Sequence, residues 1–365
     1  MNALEFRRHL HSHPELSFEE RETSRFIADA LAAEGIECRP IAGTGILARI
    51  AGTSTRAIVL RADIDALPIE ETVDVAWRSQ NRGVMHACGH DIHSAVLFGV
   101  LQRLKRSGTG DLTVFGLFQP GEECNPGGAQ AVLAENPFEG YDVVAVIGAH
   151  VEAGMAVGTF GFCAGEFMAS NDELRFTVRG KGGHAAVRNK LTDPVTAAAE
   201  LILRLNGLNS SECVVSTGRV TADGATNVIP DEVRTEGTMR TFDESMRAGT
   251  KQIIADMAAS IDDRYGTSTV TDIRDGYPCV VNDAQLTARA EQLARQHFRA
   301  VELPRRTTSE DFGRYGLLYP SLFYRFGAGE ESGPTHTSRF APDERAVGCG
   351  IDFMAMLVSE LSKTL

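Results

Sequence analysis

Residues 57–68 have the sequence AIVLRADIDALP, an apolar run that ends in carboxylates. Two later runs, LTVFGLFQPGEE at 112–123 and YDVVAVIGAH at 141–150, have the same form. Because they are continuously apolar rather than alternating, they are typical of strands buried on both faces of a sheet. Helical patterns separate most of them, which predicts a doubly wound, mostly parallel α/β sheet. Such sheets bind ligands at the carboxyl ends of their strands, where the candidate groups are Asp63, Asp65, Glu122, Glu123 and His150.

The sequence pattern changes between about residues 166 and 279. The run ELRFTVRG at 173–180 alternates apolar and polar residues, as a half-exposed antiparallel strand does. A helical pattern, two strand patterns, a second helix and a last strand follow, and this β-α-β-β-α-β order is that of a ferredoxin-like unit. We therefore predict a discontinuous catalytic domain, 1–165 and 280–365, and an inserted lid domain, 166–279, through which a homodimer forms.

Composition and charge limit the classes of function. The chain has 365 residues, 43% of them hydrophobic, which is enough for two domains with substantial cores. The formal net charge of −13 argues against nucleic acid and membranes as partners, since both favour a basic face. The first residues lack the apolar core of a signal peptide, and no run approaches the roughly 18 apolar residues of a membrane-spanning helix. The seven scattered cysteines form no CxxC pair, so we expect a reducing cytoplasm.

Near the start of the chain, Ser17 and Glu20 have the S-x-x-E spacing of a capping box. They precede RETSRFIADALAAEG, a helical pattern in which Gly35 supplies the stop signal. The sequence therefore predicts a helix whose first N–H groups are capped by the side chains of Ser17 and Glu20.

The stretch MHACGHDIHSA at 85–95 concentrates thiol, imidazole and carboxyl groups. Cys88 and His90 would face the same way on an extended segment. A helix is predicted to follow with Asp91 as its N-cap and with the apolar stripe Ile92, Val96, Val100 and Leu104. A thiolate and an imidazole together favour borderline or soft divalent ions such as zinc. Taken alone, the stretch fits a polar loop with a buried cysteine equally well.

Other candidate groups lie far apart in the sequence. Glu122 and Glu123 are adjacent carboxylates, which usually face solvent but suit a division into a metal ligand and a proton carrier. His150 closes a strand, where a lone histidine is more often a satisfied core residue. His336 lies in the loop GPTHTSRF after the last strand. Together with the Cys-Gly-His stretch, these residues provide one Cys, three His and one Glu as ligands, enough for two metals that share a ligand.

The motifs of this chain resemble those of a known family. In chain order they are RADIDALP, MHACGHDIHSA, FQPGEE, GKGGHAA, NVIPDEVRTEGTMRTF, SEDF and HTSRF. The same order is found in metal-dependent N-acyl-amino-acid amidohydrolases. These form the branch of the aminoacylase/carboxypeptidase metallopeptidase family that contains hippurate hydrolases and auxin-conjugate hydrolases. The resemblance extends from HSHPELSFEE at 11–20 to the last helix, so it covers essentially the whole chain.

The resemblance implies a dinuclear metal centre. Cys88 and His90 look like the ligands of the family's Cys-Gly-His motif, with Cys88 in the shared, bridging position. The remaining ligands are implied to be Glu123, His150 and His336. Asp63 and Asp65 match no ligand of this branch, and we interpret them as groups that hold His90 or neighbouring ligands in the right tautomer. We expect two divalent ions per subunit, zinc first because of the thiolate, with manganese, cobalt or nickel as alternatives.

The resemblance also implies roles outside the ligand set. Glu122 is similar to the family's general base, which takes a proton from the attacking water and passes it to the leaving nitrogen. His184, in KGGHAA, is implied to reach the active site of a partner subunit and steady the oxyanion, with a surface loop histidine as the alternative. Asn227 and Arg240 match lid positions that contact the substrate or its carboxylate, and a structural role fits each equally well.

Two positions depart from the family's pattern. After GGHAA, relatives commonly have Pro-His, whereas this chain has Val187 and Arg188. The loop before His336 has the sequence GPTHTS, where a Leu-His pair is more usual. Both positions border the substrate pocket rather than the metals, so they bear on substrate preference and not on hydrolysis.

The predicted reaction is hydrolysis of the amide bond of N-acyl amino acids to a carboxylic acid and a free amino acid. A dipeptidase or carboxypeptidase that acts on small peptides is the alternative, because the same metals cleave peptide amides. A cysteine-nucleophile enzyme built on Cys88 would leave His150, His336 and Glu123 without a task. A binding protein that had lost catalysis would usually lack the base or a ligand, and this sequence contains them all.

Overall fold

The computed structural model of the chain describes residues 1–364. Its helices are α1 (Ala3–Ser12), α2 (Arg21–Ala33), α3 (His90–Ser107), α4 (Gly128–Ala134), α5 (Pro194–Asn206), α6 (Glu244–Tyr265), α7 (Ala284–His297), α8 (Gly313–Gly316) and α9 (Arg345–Thr364). A 3₁₀ helix covers Ala185–Lys190. Its strands are β1 (Glu37–Ile41), β2 (Gly45–Ile50), β3 (Arg56–Asp63), β4 (Thr113–Gln119), β5 (Asp142–Glu152), β6 (Thr159–Phe162), β7 (Gly165–Met168), β8 (Asp172–Arg179), β9 (Gly183–His184), β10 (Cys213–Ala222), β11 (Val228–Ile229), β12 (Glu232–Thr241), β13 (Ser268–Asp275), β14 (Val280–Asn282), β15 (Arg299–Glu302) and β16 (Ser321–Gly327).

The chain divides into two compact units. The first comprises Met1–Gly165, Val281–Pro304 and Asp311–Leu365, and the second comprises Glu166–Val280 and Arg305–Glu310. Each unit has its own cluster of buried apolar side chains. Among residues 1–364, no helix combines the length and the apolar character needed to cross a membrane.

An eight-stranded sheet runs through the first unit in the order β1-β2-β4-β3-β5-β16-β6-β15. The pairs β4–β3, β3–β5, β5–β16 and β6–β15 are parallel. The pairs β1–β2, β2–β4 and β16–β6 are antiparallel. Every residue of β4 and of β16 is buried, as their continuously apolar sequences require. The prediction of a mostly parallel α/β sheet is confirmed.

The direction of three neighbouring strands decides where the polar groups lie. Since β3 is parallel to both β4 and β5, the carboxyl ends of all three lie at the same edge of the sheet. β3 ends at Asp63, and β4 ends at Gln119, just before the turn with the two adjacent glutamates. His150 lies inside β5, which continues to Glu152 rather than ending at the histidine.

Helix α3 begins two residues earlier than the sequence predicts. Gly89 is its N-cap, so the prediction that Asp91 caps the helix is wrong. The reason is a partner from α1, because Oδ2 of Asp91 lies 2.7 Å from Nε of the buried Arg7. Phe6 of α1 also stacks on Phe98 of α3 with ring centroids 4.3 Å apart. The predicted apolar stripe is confirmed as buried: Ile92, Val96, Val100 and Leu104.

Helix α2 begins directly after Glu20, but neither Ser17 nor Glu20 caps it, so the capping-box prediction is wrong. The main-chain N–H of Thr23 instead donates to Oε2 of Glu15 at 2.8 Å. Both side chains of the expected box form hydrogen bonds with other segments of the first unit. A strong local signal has therefore been overridden by tertiary contacts.

The second unit contains a four-stranded antiparallel sheet in the order β10-β12-β8-β13. Its main elements follow each other as β8-α5-β10-β12-α6-β13, which is the β-α-β-β-α-β order. Leu174, Phe176 and Val178 of β8 are buried while the residues between them are half-exposed, in keeping with their alternation. β10 and β13 are the edge strands of this sheet.

His11 links α1 to two buried carboxylates. Its Nδ1 lies 2.9 Å from Oδ2 of Asp91, and its Nε2 lies 3.1 Å from Oε1 of Glu71. Burial lowers the pKa of His11, but Asp91 and Glu71 outweigh it and raise the pKa above its ordinary value. Such a group stabilises the fold fully below its unfolded pKa, about 6.5 for histidine, and loses this contribution as the pH rises through the folded pKa.

We therefore expect the substitution His11→Asn to destabilise the protein more at pH 6 than at pH 9. At pH 6 the loss is expected to be about 1–3 kcal/mol, the range for charged hydrogen bonds in a buried setting. Thermal unfolding of the wild type and the variant, followed by circular dichroism across this pH range, measures the difference. A difference that grows with rising pH would contradict the assignment.

Candidate metal centre

Ligand-type atoms from separate segments of the first unit lie close together at the carboxyl edge of its sheet. Sγ of Cys88 is 3.2 Å from Nε2 of His150 and 3.2 Å from Nε2 of His336. Oε1 of Glu123 is 3.2 Å from Nε2 of His336 and 3.9 Å from Nε2 of His90. The structure thus brings together all five residues that the sequence predicted as ligands.

These atoms form overlapping groups of three in which all ligand atoms lie within 4.8 Å of one another. The groups are Cys88–His90–His150, Cys88–Glu123–His336 and His90–Glu122–Glu123. Cys88, His90 and Glu123 each belong to two of them, so the groups overlap. Within the described residues, Nε2 of His90 is buried and has no hydrogen-bond partner. A buried imidazole nitrogen of this kind, beside a thiol and a carboxylate, fits a divalent cation.

Gly89 lets its two neighbours face the same point. Its φ is +92°, a left-handed conformation that favours glycine, and the next residue, His90, starts α3. A Cβ at this position would lie 2.6 Å from Cγ2 of Val151, which follows His150 on β5. The glycine therefore allows the Cys88–His90 segment to approach the strand that bears His150.

The loop with His336 is attached to the same segment. The main-chain N–H of His336 donates to the carbonyl of Ala87 at 2.8 Å. This bond holds a residue from far along the chain beside Cys88. His336 itself is half-exposed, and its contact with Glu123 raises the pKa of the imidazole.

Asp65 fixes the orientation of two of the candidate ligands. Nδ1 of His90 is 2.8 Å from the main-chain carbonyl of Asp65 and 3.2 Å from its Oδ1. The N–H of Glu123 donates to Oδ2 of the same carboxylate at 2.9 Å. In the neutral imidazole, a proton on Nδ1 of His90 leaves Nε2 with a lone pair that can bind a metal.

Asp63 is engaged in supporting contacts through both of its oxygens. Oδ1 lies 2.6 Å from Nδ1 of His93, and Oδ2 accepts from Arg61 at 2.7 Å. The N–H of Val151 donates to Nε2 of His93 at 2.9 Å, so the proton of this imidazole is on Nδ1. Asp63 also forms a group of ligand-type atoms with His90 and His93, but its oxygens already have these partners.

The surroundings of the cluster shift the pKa values of its groups in different directions. Burial raises the pKa of the Cys88 thiol to about 12, a value that disfavours a free nucleophilic thiolate at neutral pH. Burial, together with the charge of Arg325, holds the pKa of His150 well below its ordinary value. Burial also lowers the pKa of His90, but Asp63 and Cys88 outweigh it and raise that pKa well above the ordinary value. Because a bound cation favours the thiolate, it would reverse the effect of burial on Cys88.

A buried network behind the cluster was not predicted from the sequence. Arg61 donates through one terminal nitrogen to Oδ1 of Asp311 at 2.7 Å and through Nε to Gln119 at 3.0 Å. The same guanidinium binds Asp63, so it joins β3, β4 and the segment that contains Asp311. A charged residue inside an otherwise apolar strand was the signal for Arg61. Asp311 lies in the SEDF motif, to which no role was assigned.

The three remaining predicted site residues belong to the second unit. His184 is exposed on β9, and its Nδ1 accepts from the N–H of Ala186 at 3.2 Å. Asn227 is exposed, and its main-chain carbonyl accepts from the N–H of Ala185 at 3.0 Å. Arg240 is half-buried, and its guanidinium donates to the carbonyl of Thr307 at 3.0 Å.

A mostly parallel α/β sheet with Cys, His and Glu groups clustered at the carboxyl ends of its strands is an arrangement suited to a metal-dependent hydrolase. The family model described as Peptidase family M20/M25/M40 matches residues 59–360. The chain belongs to this family.

Two named relatives and one solved structure are similar to this chain over most of its length. An N-acetyl-L-cysteine deacetylase of Bacillus subtilis is 38% identical over 353 residues, covering 93% of this chain and 83% of the relative. Thermostable carboxypeptidase 2 of Saccharolobus solfataricus is 32% identical, covering 98% of this chain and 95% of the relative. A crystal structure from Bacillus subtilis, described as a dinuclear metal-binding peptidase from the M20 family, has 34% identity and a TM-score of 0.89, covering 100% and 98% of the two chains.

The family resemblance inferred from the seven ordered motifs is confirmed by this match. So is the prediction that the protein is a hydrolase of the metallopeptidase class. Candidate metal-binding groups agree with the dinuclear description of the B. subtilis structure.

Replacing Gly89 with alanine should disturb the close approach of the Cys88–His90 segment to Val151. We expect Gly89→Ala to lower the free energy of unfolding by about 1–3 kcal/mol, because the backbone is left-handed and Val151 blocks the new methyl group. The matched control is Gly348→Ala in α9, where a Cβ has no neighbour within 4 Å and a small gain is expected. Denaturant unfolding of the metal-free proteins compares them, and equal effects of the two substitutions would contradict the steric argument.

Proposed function

We propose that this protein hydrolyses the amide bond of N-acyl amino acids and releases a carboxylic acid and a free amino acid. The observation that carries the proposal is the group of Cys88, His90, Glu123, His150 and His336 with a buried glutamate, Glu122, within 4.8 Å of His90. The deacetylase named among the relatives supports the substrate class.

In this proposal the five clustered residues would hold two divalent ions. Zinc is the first choice because thiolate and imidazole are its usual ligands, and manganese, cobalt and nickel are the alternatives. When bound, such ions polarise the substrate carbonyl and lower the pKa of water towards neutrality. Asp65 and Asp63 act behind the ligands, since they orient His90 and His93 by hydrogen bonds.

Glu122 is the proposed general base. It is adjacent to Glu123 in the sequence, so the pair combines a group for proton transfer with a group for metal binding. Glu122 accepts the proton of the attacking water and then donates it to the departing amine nitrogen. Its side chain is buried, which keeps the proposed proton transfer away from bulk water.

Three residues of the second unit are proposed to bind the reacting groups, with His184 acting in the active site of a partner subunit. Nδ1 of His184 accepts a hydrogen bond, which leaves the proton on Nε2, the form needed to donate to an oxyanion. Arg240 and Asn227 are proposed to contact the substrate and its carboxylate. In the described part of the chain, the partners of the Arg240 guanidinium are a carbonyl and a hydroxyl, so its charge is available to an acid.

Peptide cleavage is the second candidate function. A carboxypeptidase is named among the relatives at 32% identity over nearly the whole chain. The departures at Val187–Arg188 and in GPTHTS bear on this choice, because they lie in loops expected to border the substrate. Within the described residues no disulfide joins any of the seven cysteines, which supports a reducing cytoplasm as the proposed location.

The substitution Glu122→Gln tests the proposed chemistry. We expect turnover of acetyl-, benzoyl- and indole-acyl amino acids to fall by about 10²–10⁴-fold, since general acid–base catalysis contributes this much, while metal content stays at the wild-type level. Mass spectrometry of bound metals and a release assay for the free amino acid give the two readouts. Glu302→Gln, at an exposed position of β15, is the matched control.

Near-native activity of Glu122→Gln would show that the base is another group. Full wild-type activity after thorough chelation would refute a metal-dependent mechanism. Faster cleavage of dipeptides than of any N-acyl amino acid would favour the second candidate function.

We also propose that two copies associate through the second unit. Its edge strand β10 is ten residues long, and most of its second half is exposed, including Val220 at 55% exposure. Long exposed edges tend to pair with another strand, whereas the opposite edge, β13, is protected by its charged residues.

Light scattering coupled to size exclusion should therefore give twice the chain mass of 39.4 kDa. We expect Val220→Lys to shift the protein towards the single-chain mass, because a lysine on the edge opposes strand pairing. The control, Val270→Lys on β13, should leave the mass unchanged. A wild-type protein of single-chain mass would contradict the proposal.

A further inference from the structure

The segment Ser17–Glu20 connects the start of the chain to the turn with Glu122 and Glu123. Its sequence is that of a helix cap, yet Glu15 performs the capping of α2 and the two expected cap residues bind elsewhere. Where a strong local signal fails, a competing function often explains the failure. The partners of Ser17 and Glu20 indicate what that function is.

Glu20 is a fully buried carboxylate with both oxygens engaged. Oε1 accepts from the main-chain N–H of Gly121 at 2.8 Å, and Oε2 accepts from the hydroxyl of Thr44 at 2.5 Å. Burial of this carboxylate is unfavourable and raises the pKa of Glu20, against the effect of the Thr44 hydroxyl. A cap residue could remain in solvent, so the buried position needs a different explanation.

Ser17 contacts the side chain of Asp65, and Phe18 contacts the turn at Gly121. The Ser17 hydroxyl donates at 2.7 Å to Oδ2 of Asp65, the oxygen that also accepts from the N–H of Glu123. Gly121 has a φ of +60°, and a Cβ there would lie 2.6 Å from the Phe18 ring. The ring therefore packs directly on the backbone of the turn.

Two main-chain hydrogen bonds flank Glu122, the proposed base. The N–H of Gly121, just before Glu122, is held by Glu20, and the N–H of Glu123, just after it, is held by Asp65. Two points of attachment on either side of one residue fix the direction of its backbone. Two adjacent carboxylates with separate tasks need this fixed direction, because a rotation of the turn would exchange the positions of their side chains.

We propose that Ser17 and Glu20 are positioning residues that set the orientation of the Glu122–Glu123 turn for metal binding and proton transfer. This inference rests on the proposed function of Glu122 and Glu123. Glu20 acts directly on the backbone of the turn, and Ser17 acts through Asp65. Neither residue touches the substrate.

The decisive variant is Glu20→Ala, with Glu20→Gln as its conservative partner and Glu19→Ala as the control. Glu19 is the exposed neighbouring carboxylate. We expect Glu20→Ala to lower kcat about 10- to 100-fold, the usual effect of removing a group behind a metal ligand, with KM little changed. Zinc affinity of the metal-free protein, measured by competition with a chromophoric chelator, should fall by a similar factor.

Glu20→Gln should restore most of both quantities. Its amide oxygen can accept from Gly121 while its NH₂ group donates to the Thr44 oxygen. Glu19→Ala should match the wild type. This pattern separates positioning from a merely structural role, which would lower the unfolding temperature and leave zinc affinity and kcat at their wild-type values.

Ser17→Ala provides a second, milder test if Glu20→Ala does not fold. Removal of one hydrogen bond to Asp65 is expected to lower kcat and zinc affinity by roughly 2- to 10-fold. Wild-type values of both quantities in Ser17→Ala or in a folded Glu20→Ala would overturn the proposal. Zinc affinity is measured without substrate, so a wild-type protein with no deacylase activity would refute the proposed function and leave this test interpretable.

Discussion

The carboxylate of Asp65 joins three segments that are distant in the sequence. It binds the imidazole of His90, the backbone of Glu123 and the hydroxyl of Ser17. Because one side chain sets two candidate ligands at once, their relative position does not depend on flexible loops. A buried charge with all of its hydrogen bonds satisfied is rigid, and a rigid frame is what a metal centre needs to hold its ligands in one geometry.

The parallel strands explain why these groups can meet. β3, β4 and β5 direct their carboxyl ends to the same edge, and the polar residues that follow them face a common space. Behind these residues lie the Arg61 guanidinium and its buried partners Asp63 and Asp311. This buried charge network links the strands of the sheet to the residues that support the candidate centre.

Much of this arrangement could be predicted from the sequence. Continuously apolar runs identified the buried strands, and ordered motifs identified the residues of the cluster. Local rules failed at Asp91 and at the Ser17–Glu20 box, since each of these side chains binds a partner far away in the chain. Partners such as Arg7 and Asp311 could not be assigned, because pairing between distant residues leaves no periodic pattern. The failures lie close to the candidate centre, where tertiary contacts outweigh local preference.

The order of the cluster residues along the chain has a consequence for synthesis. Cys88 and His90 emerge from the ribosome well before His336, whose backbone bond to Ala87 completes the group. Until that late segment has been translated, the nascent polypeptide contains only four of the five predicted ligands.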